Sequence, residues 1–124
     1  MATVLVIDDD KQSREVIRDI LESDGYEVVE AKDGKEGVAV FRKQPTDLVV
    51  TDIIMPEQEG VETILQLKRD YPDVKIIAVS GGGRLSPTDY LHIAKKSGAK
   101  QTLQKPFRVE ELLTAARKLL SDGV

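Results

Sequence analysis

Apolar and polar positions follow two different periods along this chain. Short segments carrying Val, Ile or Leu recur at Thr3–Ile7, Glu27–Ala31, Asp47–Thr51, Lys75–Ser80 and Lys100–Gln104, each bounded by polar or turn-forming residues, and they predict five strands. Between them apolar residues return three and four positions apart: Val16, Ile17, Ile20 and Leu21; Val38 and Phe41; Val61, Ile64 and Leu65; Leu91 and Ala94; Leu112, Leu113, Ala116, Leu119 and Leu120. That spacing lays one apolar stripe along each of five helices. The punctuation agrees. Gly25 and Gly98 follow the first and fourth helices, where a C-terminal cap calls for a positive φ, and Pro72 follows the third. Ser86-Pro87-Thr88-Asp89 reads as an N-cap, a first-turn proline and a capping acid, so the fourth helix is expected to start near Ser86.

Strand and helix alternate without exception, which implies right-handed crossovers, a parallel sheet and helices on both of its faces. The expected fold is a doubly wound α/β domain. Ligands of such sheets sit beyond the carboxyl ends of the strands, where the strand order reverses. The first strand runs into Asp8 and Asp9, the third into Asp52, the fourth into Ser80 and the fifth into Lys105. If the order is 2-1-3-4-5, the reversal lies between strands one and three and sets Asp8 and Asp9 beside Asp52. Carboxylates brought together in this way repel one another unless a cation relieves them. Hard oxygen ligands suit Mg²⁺, or Mn²⁺, which shares its shell readily with phosphate, while Lys105 adds a fixed positive charge and Ser80 a hydroxyl donor. The set fits a phosphoryl group.

Composition narrows the alternatives. The chain of 124 residues has the size of one domain, with 40% hydrophobic and 32% charged residues and a net charge of −4, which argues against a general binder of nucleic acid. It contains no cysteine, so disulfides and thiolate metal sites are excluded. No apolar run reaches the roughly 20 residues of a membrane span, and the N-terminus lacks a signal-peptide pattern. A cytoplasmic location without membrane insertion is the expectation.

The acidic "IDDD" after the first strand, "LVVTDIIMP" with Asp52 and Met55-Pro56, the hydroxyl of Ser80 and "LQKPF" with Lys105-Pro106 together resemble the CheY-like receiver domains of two-component response regulators. The resemblance covers essentially the whole chain. It implies a flavodoxin-like (βα)5 sheet of order 2-1-3-4-5 and a stand-alone receiver over residues 1–124 with no output domain. It also implies that Asp52 is the phosphoacceptor and that Asp9, Asp52 and the main-chain carbonyl of Ile54 hold Mg²⁺, with Asp8 acting through water. Lys105 and Ser80 would contact the phosphoryl oxygens, and a cis peptide would precede Pro106. The implied partners are a sensor histidine kinase or histidine phosphotransfer protein and a downstream protein target. The receiver would catalyse its own phosphorylation and slow hydrolysis, without being a conventional enzyme.

Two positions depart from the family pattern. Gly81 stands where a small residue such as alanine is usual, and Thr102 where an aromatic is usual. These departures keep open a degenerate receiver that works as a phosphorylation-independent interaction module. Without a ring at Thr102, activation is expected to act mainly through ordering of residues 81–85 and the start of the fourth helix. Gly81-Gly82-Gly83 lacks the spacing of a phosphate cradle and reads as a loop. Asp10 reads as a helix cap, and His92 lies away from the strand ends.

Overall fold

The computed structural model describes residues 2–53, 59–81 and 87–121. Its elements alternate as expected: β1 (Thr3–Ile7), α1 (Lys11–Ser23), β2 (Glu27–Ala31), α2 (Gly34–Lys43), β3 (Leu48–Asp52), α3 (Glu59–Asp70), β4 (Ile76–Ser80), α4 (Pro87–Ser97), β5 (Gln101–Gln104) and α5 (Val109–Ser121). All neighbouring strands pair in parallel, in the order β2-β1-β3-β4-β5. The chain therefore folds as the doubly wound sheet that its alternation predicts. β3 begins one residue later than its apolar pattern suggests and extends through Asp52, so that carboxylate is carried by ladder backbone and not by loop.

Successive side chains of a strand point to opposite faces, and this sorts the core into two layers. Val4 and Val6, Leu48 and Val50, Ile77 and Val79, and Leu103 pack against Ile17 and Leu21 of α1 and Leu112, Ala116 and Leu119 of α5. Leu5 and Ile7, Val49, and Ile76 and Ala78 face the opposite way, against Val38 and Phe41 of α2, Ile64 and Leu67 of α3 and Ala94 of α4. Both faces of β1, β3 and β4 are covered, which is why these strands read as unbroken apolar runs. Each fully buried Leu or Ile side chain contributes about 1.5–3 kcal/mol relative to exposure.

Helix ends follow their cap chemistry. Asp10 caps α1, its side chain accepting from the Gln12 amide at 3.1 Å, and Asp33 caps α2 by accepting from the Glu36 amide at 2.7 Å. Gly25 and Gly98 have φ of 90° and 131°, the positive values expected at these helix ends. Two residues of the apolar pattern are not core: Val16 and Leu65 are 55% and 51% exposed, on the shoulders of their stripes. No helix among the described residues is long and apolar enough to cross a membrane.

Candidate functional site

Parity and register bring three distant residues together. Asp8 continues the alternation of Val4 and Val6, Asp52 that of Leu48 and Val50, and Lys105 that of Leu103, so all three belong to the face covered by α1 and α5. β1 is paired with β3, Ile7 opposite Thr51, so the residues that follow, Asp8 and Asp52, are neighbours. Lys105 Nζ donates to Asp52 Oδ2 at 3.0 Å, to Asp8 Oδ2 at 3.3 Å and to Ser13 Oγ at 2.8 Å. Asp8 is fully buried and Asp52 nearly so, whereas the lysine side chain keeps 26% of its surface in solvent. Burial is the largest single influence on the ammonium and pulls its pKa down. The charges and hydrogen bonds of Asp52 and Asp8 together outweigh burial, and the net displacement is upward. Lys105 is therefore a permanent cation at neutral pH.

The three consecutive aspartates do three different jobs. Asp8 turns inward, and its Oδ1 also accepts from the Asp10 amide at 2.9 Å. Asp10 caps α1, while Asp9 stays exposed at the rim. The peptide of Asp8 is tied down from both sides: its N–H donates to the Ala31 carbonyl at 3.2 Å, and its carbonyl accepts from Arg14 Nη1 at 2.8 Å. Arg14 in turn donates to Glu30 Oε1 at 3.0 Å, and Arg18 to Glu30 Oε2 at 2.9 Å. This α1–β2 bracket holds the acidic loop where carboxylate repulsion would otherwise loosen it.

One oxygen from each of Asp8, Asp9 and Asp52 lies within 4.8 Å of the other two. Such a cluster of hard anionic oxygens, with an exposed member at its rim, matches the donor preference of Mg²⁺ or Mn²⁺.

Ser80 takes the other parity. It belongs with Ile76 and Ala78 on the α3/α4 side, is fully buried, and its Oγ has no hydrogen-bond partner among the described residues. Thr102, partly buried, lies opposite Ala78 on the same side of the sheet, so Ser80 and Thr102 are diagonal neighbours. Lys105–Pro106 is a cis peptide, as the family resemblance implies. Gly81 is exposed at the end of β4, and a Cβ placed there would lie 2.8 Å from Lys105 Cβ and 3.0 Å from its Cδ. The lysine stem thus runs through space that a glycine leaves open. His92 is exposed on α4. Ile54, the Met55-Pro56 pair, Gly82, Gly83 and Ser86 lie outside the described residues.

Three contributors have little sequence signal. Ser13 is 92 positions from the lysine that it meets. Arg14 looks like an ordinary helix-surface cation until β2 places Glu30 beside it. Gly60 sits where a Cβ would run into the Ile53 backbone and come within 2.5 Å of the Asp52 carbonyl oxygen, so α3 packs directly on the end of β3.

The domain is doubly wound, and its switch-point crevice gathers three carboxylates and one lysine. The family model of the response regulator receiver domain matches residues 4–117, and the chain belongs to that family, which serves two-component signalling. It is similar to the chemotaxis protein CheY of Bacillus subtilis (strain 168), at 35% identity over 119 residues, 95% of this chain and 97% of that protein. It is also similar to the response regulator MprA of Mycolicibacterium vanbaalenii, at 36% identity over 117 residues, 94% of this chain and 49% of that longer protein. Among solved structures, a response regulator receiver domain protein from Clostridium thermocellum superposes with a TM-score of 0.90 at 31% identity, covering 99% of this chain and 97% of that one.

Proposed function

We propose that Asp52 is the phosphoacceptor of a two-component system or phosphorelay, receiving its phosphoryl group from a phosphohistidine on a sensor histidine kinase or a histidine phosphotransfer protein. The observation that carries this reading is the Lys105 ammonium 3.0 Å from Asp52 Oδ2, with Asp8 and Asp9 alongside. An Asp52 carboxylate oxygen attacks phosphorus in line as the P–N bond to the donor imidazole breaks; the imidazole leaves with that electron pair and Asp52 becomes an aspartyl phosphate. Lys105 stays charged throughout and offsets negative charge on the phosphoryl oxygens. Asp9 and Asp52 would hold the divalent cation, joined by the main-chain carbonyl of Ile54 and by Asp8 through water. A cation held there would supply charge neutralisation for the transferring group. Attack by water on the same phosphorus breaks the acyl O–P bond, releasing inorganic phosphate and the free Asp52 carboxylate, so the domain is a slow catalyst of its own switching.

The Ser80 hydroxyl, which has no partner among the described residues, supports the second half of the cycle, since a phosphoryl oxygen would give its proton an acceptor. Its diagonal neighbour Thr102 lies on the side of α4, so that face is where altered protein contacts would pass the signal on. For the donor, the apolar groove of Val16, Ile20, Pro106, Phe107 and Val109 is continuous with the site through Ser13 and Lys105. A donor helix seated there would bring its imidazole toward Asp52. The reading places the domain in the cytoplasm, where such kinases have their catalytic parts.

Incubation with a small-molecule phosphodonor and Mg²⁺, followed by intact-mass measurement, tests the proposal. The wild-type protein should gain one phosphoryl group and Asp52→Asn none. An unmodified wild-type mass would leave a phosphorylation-independent interaction module in its place.

A further inference from the structure

A lysine ammonium carries three N–H bonds, and three oxygens surround this one. Two belong to the carboxylates of Asp52 and Asp8, at 3.0 and 3.3 Å; the nearest, at 2.8 Å, is the neutral hydroxyl of Ser13. Ser13 lies in the first turn of α1, three residues after the Asp10 cap, where a Glu or Gln commonly folds back over the helix start. Here the side chain turns to the sheet instead. The adjacent Arg14 ties this same turn to the Asp8 carbonyl and to Glu30, so the hydroxyl is fixed relative to the acidic loop. At its other end the lysine stem passes over Gly81, where a Cβ would crowd it.

We propose that Ser13 is a positioning residue for Lys105 in phosphoryl transfer, a role that rests on the reading of Asp52 as phosphoacceptor. With only charged groups as acceptors, Asp8, which keeps its charge throughout, would compete with the phosphoryl oxygens for the ammonium. The Ser13 hydroxyl carries no charge and lies on α1, so its pull is unchanged by events at Asp52. It holds the ammonium beside the phosphoryl oxygens. Ser13 also lines the groove next to Val16 and Phe107, so it stands between the surface and the lysine.

The test has two readouts. In nitrogen-15 NMR of the Lys105 ammonium, proton exchange with water should accelerate about fivefold in Ser13→Ala, the scale of one neutral hydrogen bond. It should return toward the wild-type rate in Ser13→Thr, which keeps a hydroxyl. At saturating phosphodonor and Mg²⁺ the maximal phosphorylation rate should fall by a similar factor in Ser13→Ala and recover in Ser13→Thr. The half-saturating Mg²⁺ concentration should stay unchanged. Wild-type phosphorylation with an unaltered rate in Ser13→Ala overturns this role alone, as does an equal loss in the Ala and Thr variants, which would mark packing. No phosphorylation of the wild type overturns the phosphoacceptor reading as well.

Discussion

Lys105 and Asp52 are 53 positions apart in sequence and form an ion pair of 3.0 Å at the carboxyl edge of the sheet. The pair exists because β3 and β5 flank β4 in one parallel sheet and both residues take the parity that faces α1 and α5. Lys105→Met should therefore leave the buried Asp8 and Asp52 without their shared cation. The expected loss is about 1–3 kcal/mol in urea unfolding without divalent metal, below the figure for a fully buried pair because the lysine is partly solvated. Millimolar Mg²⁺ should restore part of it.

The same pair sets an alkaline limit. The folded-state pKa of Lys105 lies above its ordinary value of 10.5, so the stabilisation is complete below that value and is lost as pH rises through the folded one. Unfolding free energy measured from pH 9 upward should fall less steeply in Lys105→Met than in the wild type. Parallel slopes would remove Lys105 as the cause.

Divalent metal should stabilise the fold through Asp9. A cation that binds only the native cluster adds about 2.7 kcal/mol at a hundredfold excess over its dissociation constant, a shift of several degrees for a domain of this size. Asp9→Ala should abolish the dependence of Tm on Mg²⁺ and, with one repelling carboxylate fewer, should not lower the metal-free Tm. The contrast is read by calorimetry with and without chelator, and an undiminished Mg²⁺ effect in Asp9→Ala would exclude Asp9 as a ligand.

Ser80 carries a buried hydroxyl with no partner among the described residues, and such a group costs about 1–3 kcal/mol of desolvation. Ser80→Ala should accordingly leave the resting protein at least as stable as the wild type, by up to about 1 kcal/mol more after allowing for the small gap left behind. On phosphorylation the ranking should reverse, since only the wild type gains the new hydrogen bond. Urea titrations of both forms, the second with a stable phosphoryl mimic, supply the comparison.

Gly60 is the point where α3 rests on the end of β3. Gly60→Ala should push the helix off the Asp52–Ile53 backbone and cost about 1–3 kcal/mol, despite the better helix propensity of alanine. An exposed helical glycine would show the opposite sign, so equilibrium unfolding of this one variant decides between the two.

By itself the sequence determined the element order, the doubly wound class and the strand ends that carry Asp8, Asp52, Ser80 and Lys105, because period and parity are local properties of the chain. It determined the Asp10 cap and the glycine-terminated helices for the same reason. Only the tertiary structure decided that Ser13 meets Lys105, that Arg14 and Glu30 bracket the acidic loop, that Val16 and Leu65 lie outside the core, and that the Ser80 hydroxyl is buried with no partner among the described residues. These depend on how far each helix rotates and how closely it approaches the sheet. That is set by packing many side chains at once, so no residue of the pattern announces it.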